Sequence, residues 1–319
     1  MNNKPIVGED TLRRANTILR KYKSGKTSLE QKVIENEQWW KLRHWRYIRN
    51  GGDDDFKPAS AWLFSVIMNK HADGIEAYPE PNILPREEND RGEAARLSAI
   101  IPAVLEQNEF EETYSDVLWQ KLKTGTGVYG VFWDPSKLNG LGDISIKKVD
   151  LLNIFWEPGI TDLQQSRNIF TTELVDNDVL EDMYPNLAGK LKGSSVTIAK
   201  YIYDDNVDTS GKSVVVDWYY RKRKNGKNIL HYCKYVNTTV IYATENDEER
   251  PEEGIDAEGM PVYGMSRAER GWYDHGKYPF IFDRLFPAEG TPCGFGYIDV
   301  CKNTQEQIDR LNQTIVKNA

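Results

Sequence analysis

Cysteine is scarce in this sequence: Cys233, Cys293 and Cys301 are the only three among 319 residues. They are too few and too widely spaced for a disulfide framework, and no Cys-x-x-Cys pair occurs. Histidine is nearly as rare, and His44, His71, His231 and His275 show none of the spacings to a second ligand that a zinc site uses. No stretch approaches eighteen consecutive apolar residues, which excludes a membrane-spanning helix. The opening MNNKPIVGEDTLRRANTILRKYKSGK carries Lys and Arg but no apolar core of signal-peptide type, so the chain is expected to stay in the cytoplasm where it is made. Positive charge is in deficit. A net charge of −8 argues against strong nonspecific affinity for DNA, which needs cations to displace phosphate counterions.

Catalytic signatures are missing as well. There is no Gly-x-Ser-x-Gly elbow, no Cys in a catalytic context and no Gly-x-x-x-x-Gly-Lys-Ser/Thr loop, which excludes a P-loop ATPase. No cofactor or metal is implied. The run Gly51-Gly52-Asp53-Asp54-Asp55 lacks the alternating ligands and closing Glu of a calcium loop and reads as a solvated loop. Carboxylates are abundant and Trp and Tyr are frequent, so a carbohydrate-active hydrolase using a carboxylate pair stays open as an alternative, as does a plain interaction module. No internal repeat of solenoid length is present.

What is present describes a globular chain. An apolar fraction of 39% with 11% aromatics supports one large or two medium domains. Hydrophobic spacing predicts helix from Thr11 to about Tyr47, punctuated at Ser24-Gly25, and again over 59–77, 91–108 and 110–122. The last two form an antiparallel pair joined by a tight turn. In WWKLRHW, residues 39–45, the aromatics are expected to pack inward and the cations to stay solvated, rather than to stack on single-stranded nucleic acid. Gly125-Thr126-Gly127 ends a helix and opens a strand, the reverse of a phosphate loop, and reads as a C-cap and turn.

Strands follow at 128–133, 143–149, 153–156 and 169–175, then a short helix at 178–184 and a turn-rich stretch at 187–195. A hairpin, 213–223 with 229–236, turns at Lys224-Asn225-Gly226-Lys227, where Asn-Gly supplies a tight primed turn. Its cations Arg221, Lys222, Arg223, Lys224 and Lys227 are the densest basic cluster in the chain. They read as a solvated tip that blunts an edge strand or as a contact for DNA or an acidic partner. The acidic 245–258 stretch reads as an exposed loop whose charge suits the hairpin of a neighbouring subunit.

The final segment, YPFIFDRLFPAEGTPCGFGYIDVCKNTQEQIDRLNQTIVKN, ends an aromatic strand, passes a Pro/Gly-rich loop and opens a polar helix that is still running at Ala319. Tyr297, Cys301, Thr304, Ile308, Leu311 and Ile315 recur at three- and four-residue steps, a narrow apolar seam suited to packing between neighbouring helices. An aromatic strand, a Leu285-Phe286-Pro287 turn, the Gly294-x-Gly296-Tyr297 helix entry and Gln305-x-x-Ile308-Asp309-x-Leu311-Asn312 together resemble the portal proteins of tailed bacteriophages. Gly125, Gly127, Trp133 and Asp134 match that family's Gly-x-Gly followed by a strand ending in Trp-Asp, and Trp156-Glu157-Pro158-Gly159 is similar to its strand end.

The resemblance implies an α+β fold. A helical N-terminal part would occupy 1–123, a β-rich wing of antiparallel strands 124–286, and the loop and start of a long, truncated stem helix 287–319. It further implies a structural subunit of a ring, usually of twelve, at one capsid vertex. That ring conducts double-stranded DNA non-specifically during packaging and ejection and docks the terminase motor, the capsid or scaffolding protein and tail-connector proteins. It is assembled in the bacterial host cytoplasm and carried in the virion. Under that reading Lys302, Gln305, Asp309 and Asn312 face the channel, Tyr297, Cys301, Ile308, Leu311 and Ile315 form the seam between subunits, and no residue is catalytic.

Overall fold

In a computed structural model, the described residues are 5–48, 56–191, 197–202, 210–224, 226–255 and 260–319. The acidic run at 51–55, the turn residue Asn225 and the last part of the turn-rich stretch at 187–195 lie outside them. Four helices lead: α1 (Glu9–Trp40), α2 (Trp62–Glu76), α3 (Arg91–Gln107) and α4 (Phe110–Thr124). Strands β1 (Thr126–Asp134), β2 (Asp143–Lys148), β3 (Ile154–Trp156) and β4 (Asn168–Asp176) follow, then α5 (Asn177–Met183). Next come β5 (Lys212–Lys224), β6 (Lys227–Val236), β7 (Thr239–Ala243), β8 (Glu252–Ile255), β9 (Pro261–Tyr263) and α6 (Arg267–Arg270). The chain closes with β10 (Phe280–Arg284), β11 (Phe286–Pro287), β12 (Gly294–Phe295) and α7 (Tyr297–Asn318). Helices and wholly antiparallel sheets make this an α+β fold.

Contacts divide the chain into two interleaved units, residues 1–30 with 152–278 and residues 31–151 with 279–319. This division departs from the boundaries at 123 and 286 that the sequence suggested, because strand pairing recruits distant segments: β10 pairs with β1, bringing Phe280 opposite Gly130.

The first unit is a five-stranded antiparallel sheet in the order β3-β4-β5-β6-β7. One face carries the start of α1, where Leu12, Ala15, Leu19 and Tyr22 are buried with Phe155, Phe170, Trp218, Tyr220 and Tyr235. The other face is covered by Leu180 and Leu187 against Val215 and Val236. Alternate β5 residues therefore serve opposite faces, as the two-residue strand period requires. The helix runs unbroken through Ser24-Gly25, where the sequence suggested a break. A Cβ on Gly25 would lie 2.7 Å from the Pro158 ring, so this glycine admits a close approach rather than a turn. Of residues 245–258, expected as an exposed loop, Glu248, Glu249 and Glu252 are exposed, Glu245 is buried, the strand β8 pairs with β9, and 256–258 lie outside the described residues.

The second unit packs the end of α1, then α2, α3, α4 and α7 with the sheet β10-β1-β2. Its apolar centre joins Trp39, Leu63, Ile67, Leu118, Leu122 and Ile298. Trp40 stacks on Phe64 with centroids 4.6 Å apart, Trp39 stacks on His44 at 4.4 Å, and Arg43 and Arg46 are exposed. The WWKLRHW indoles thus pack inward. Trp62, the first residue of α2, is 44% exposed.

Gly125 closes α4 in the left-handed region at φ 86°, its N–H donating to the Lys121 carbonyl, as a C-cap requires. Two glycine motifs far apart in sequence meet there. A Cβ on Gly125 would lie 2.2 Å from the Phe295 backbone, and one on Gly296 would lie 2.7 Å from the Leu122 carbonyl oxygen.

Candidate assembly surfaces

The second helix begins without a cap of its own. Ala61 occupies the N-cap position and offers no side-chain acceptor, yet the first N–H groups of a helix must find partners when buried. The helix α7 supplies one. The Gln305 Oε1 accepts from the Leu63 N–H in the first turn at 3.0 Å, and the Asp309 Oδ1 accepts from the Ser60 N–H, just ahead of the N-cap, at 2.8 Å. A carboxylate placed at this end also meets the positive end of the α2 dipole.

Asp309 is a hub. Its Oδ2 lies 2.8 Å from His44 Nε2 and accepts from the Gln305 Nε2–H at 2.9 Å, while Asn312 donates to Ser60 Oγ at 3.1 Å. His44, Gln305 and Asp309 all have 0% exposure. Lys302 pairs with Glu35 at 3.1 Å, and Asp299 holds Lys32 at 2.9 Å and accepts from the Gly296 N–H at 2.8 Å.

Of the stripe of Lys302, Gln305, Asp309 and Asn312, read from the sequence as a channel face, Gln305 and Asp309 are buried inside their own unit, while Lys302 and Asn312 are half-buried and bonded to Glu35 and Ser60. The correction has a physical cause: a polar side chain four residues from another shares its helix face, and here that face caps a neighbouring helix. Spacing alone does not distinguish a polar face aimed at solvent from one aimed at orphaned backbone donors. His44 and Ser60, which sequence reading did not single out, complete the arrangement. The available signal was an α2 start at Ala61-Trp62 with no Ser, Thr, Asp or Asn in the capping position.

The apolar stripe of α7 divides along its length. Tyr297 and Cys301 pack against the core with Ile298, and Ile308 is half-buried. Leu311 and Ile315 are each 63% exposed, with Val316 exposed beside them.

In the first unit the basic hairpin extends beyond its sheet. Pairing of β4 with β5 ends at Tyr220, and pairing of β7 with β6 ends at Cys233, whereas β5 and β6 continue together to Lys224 opposite Lys227. The strands are central in the sheet along most of their length, and only their projecting ends lack an outer strand. Two of its five cations have partners within the unit. Arg221 donates to the Gln164 backbone and, at 2.7 Å, to its side chain, and lies 4.2 Å over the Tyr278 ring. Lys222 pairs with Glu245 at 2.6 Å, and the Tyr220 O–H donates to the same carboxylate at 2.5 Å.

Burial pushes the Glu245 carboxyl up, but hydrogen bonds from Lys222 and Tyr220 and the positive charge of Lys222 more than offset this, leaving it below the usual carboxylate range. Desolvation lowers His231 beside it. Arg223, Lys224 and Lys227 are exposed, and no carboxylate among the described residues forms an ion pair with them.

No curated protein matches the chain. The family model for the phage P22-like portal protein matches residues 73–275, more than half of the 319-residue sequence. That span takes in the last turn of α2, the α3–α4 pair and the hairpin sheet from β3 to β7. With the helices, the antiparallel sheets and this match in agreement, the chain belongs to the phage P22-like portal protein family, the head-to-tail connectors of bacteriophages.

Proposed function

We propose that this chain is a structural subunit of a ring-shaped DNA conduit at one capsid vertex, with no covalent chemistry of its own. The observation that carries the reading is the portal match over residues 73–275. The chain's copies pack around a central passage, usually twelve to a ring in the resembling family, and the assembled ring docks the terminase motor, the capsid or scaffolding protein and the tail connector. It is built in the host cytoplasm and retained in the virion. The exposed apolar half of α7, with Leu311 and Ile315 each 63% accessible, supports packing of this helix against a second copy, since an apolar stripe on a helix normally finds a partner.

Gln305 and Asp309 are occupied inside the unit, so contact with passing DNA falls to the exposed polar positions of the same helix, Asn303, Gln307 and Thr314. Short amide and hydroxyl side chains there give weak, sequence-blind contacts to phosphates. Light scattering and negative-stain images of the purified chain test the reading. Rings with a central hole are expected; a monomer at all concentrations, or release of sugar from a polysaccharide panel, would overturn it.

A further inference from the structure

A pocket of about 890 Å³ opens at the corner between α3 and α4 in the second unit. Glu80, Glu106, Glu109, Glu111 and Glu112 surround Tyr78 and Phe110 there, and no cation among the described residues forms an ion pair with any of the five. The corner is held firmly. The Asn108 Nδ2–H donates to the Val104 carbonyl at 2.7 Å and to the Ile144 carbonyl at 3.1 Å, while its Oδ1 accepts from Lys137 at 2.7 Å and from the Ile146 N–H at 3.1 Å. Two aromatic faces inside a ring of carboxylates suit an alkylammonium or guanidinium group, which gains from the charge and from the ring quadrupole together.

The chain carries the matching element. At the hairpin tip Lys224 and Lys227 stand directly opposite one another in register, with Arg223 beside them. Like charges facing each other across a ladder are destabilising, so an anionic partner would relieve a repulsion at this tip. Two acids that share a pocket with it are already taken. Glu269 and Asp274, which line a pocket of about 570 Å³ with Lys224 and Lys227, pair with Arg250 at 2.9 Å and with Arg270 at 3.2 Å.

We propose that the glutamate-rimmed pocket at the α3–α4 corner is the socket for the cationic hairpin tip of a second copy of this chain. The inference rests on the assembly reading above, and it supplies a head-to-tail contact: one patch on each copy meets a different patch on the next, the arrangement that closes rings.

The test is a charge swap. One variant carries Arg223→Glu, Lys224→Glu and Lys227→Glu; the other carries Glu106→Lys, Glu111→Lys and Glu112→Lys. All six positions are exposed, and circular dichroism checks that each variant is folded. Each alone is expected to raise the concentration needed for assembly about tenfold or more, because like charges then face each other. The two together, in one chain, restore it.

If the wild-type chain assembles and either reversal leaves assembly unchanged, the socket is refuted while the ring stands. Loss with the pocket reversal alone assigns the pocket to a different basic segment and equally refutes this pairing. Should the wild-type chain prove monomeric, a Lys224→Cys copy mixed with a Glu111→Cys copy under oxidation decides. A mixed disulfide dimer absent from either copy alone supports the contact even though the ring reading has failed. No such dimer refutes both.

Discussion

Replacing Asp309 with alanine is the most searching perturbation of the second unit. The carboxylate receives the Ser60 N–H at 2.8 Å, His44 Nε2 at 2.8 Å and the Gln305 amide at 2.9 Å, with no exposure to solvent. Truncation leaves three buried donors without an acceptor. Each orphaned donor costs about 1–3 kcal/mol, but Gln305 can turn and a water can enter the vacated space, so the three do not add fully. Removing one member of a buried, hydrogen-bonded charged cluster costs about 3–5 kcal/mol, and the expected loss lies in that range.

Asp309→Asn keeps the shape and one acceptor oxygen but sets an N–H against an existing donor, for about 1–3 kcal/mol. Urea unfolding followed by circular dichroism measures the loss. Leu311→Asp on the same helix, at a site 63% exposed, is the control and should stay within about 0.5 kcal/mol. A loss below 1 kcal/mol for Asp309→Ala would show that α7 is not held by this hub.

Four further outcomes are expected. The Leu311→Asp and Ile315→Asp variants, near neutral for folding, should abolish or sharply weaken assembly by light scattering, and unchanged particles would remove the exposed stripe from the interface. Gly125→Ala should destabilise by more than about 1 kcal/mol through its left-handed backbone alone, and by more again because its methyl meets the Phe295 backbone at 2.2 Å; a variant as stable as wild type in urea contradicts that close approach. Burial pushes the Cys233 thiol up to about 12, so at pH 8 a thiol reagent should label the half-buried Cys301 first and Cys233 only on unfolding.

The fourth concerns acid. Glu245 is held below its ordinary range, so its contribution is present above that range and disappears as pH falls through the lowered value. His231 is lowered from 6.5, so the unfolded chain takes up its proton first and stability starts to fall as pH drops through about 6.5. Glu245→Gln should flatten the lower part of the acid limb and His231→Gln the upper part. A stability profile that is the same in both variants as in the wild type between pH 3 and 7 contradicts the assignment.

The sequence disclosed the elements better than their partners. The α3–α4 pair, the long hairpin and the Gly125 cap were legible because spacing, register and backbone conformation are local properties. Gly25 and Asp309 show where that stops. A glycine inside a helix reads as a break until the Pro158 ring appears against it, and an acid on a helix reads as solvated until the uncapped start of α2 appears beneath it. Both depend on a segment distant in the chain. The family was legible from the motifs at Gly125 and Gly294, which lie far apart in sequence but close against one another in the second unit.

The interleaving of the two units has a consequence for synthesis on the ribosome. Residues 31–151 emerge without β10 and α7, which come after residue 278. At about 5–20 residues per second, the gap before α7 is complete is on the order of ten to thirty seconds. Throughout it the start of α2 lacks its Asp309 and Gln305 acceptors, and β1 offers an unpaired edge where β10 will lie. The inserted sheet unit, whose last residue is 278, can finish first. The nascent chain is therefore most exposed to premature association through β1, and slowing translation after residue 151 should lower the yield of soluble protein.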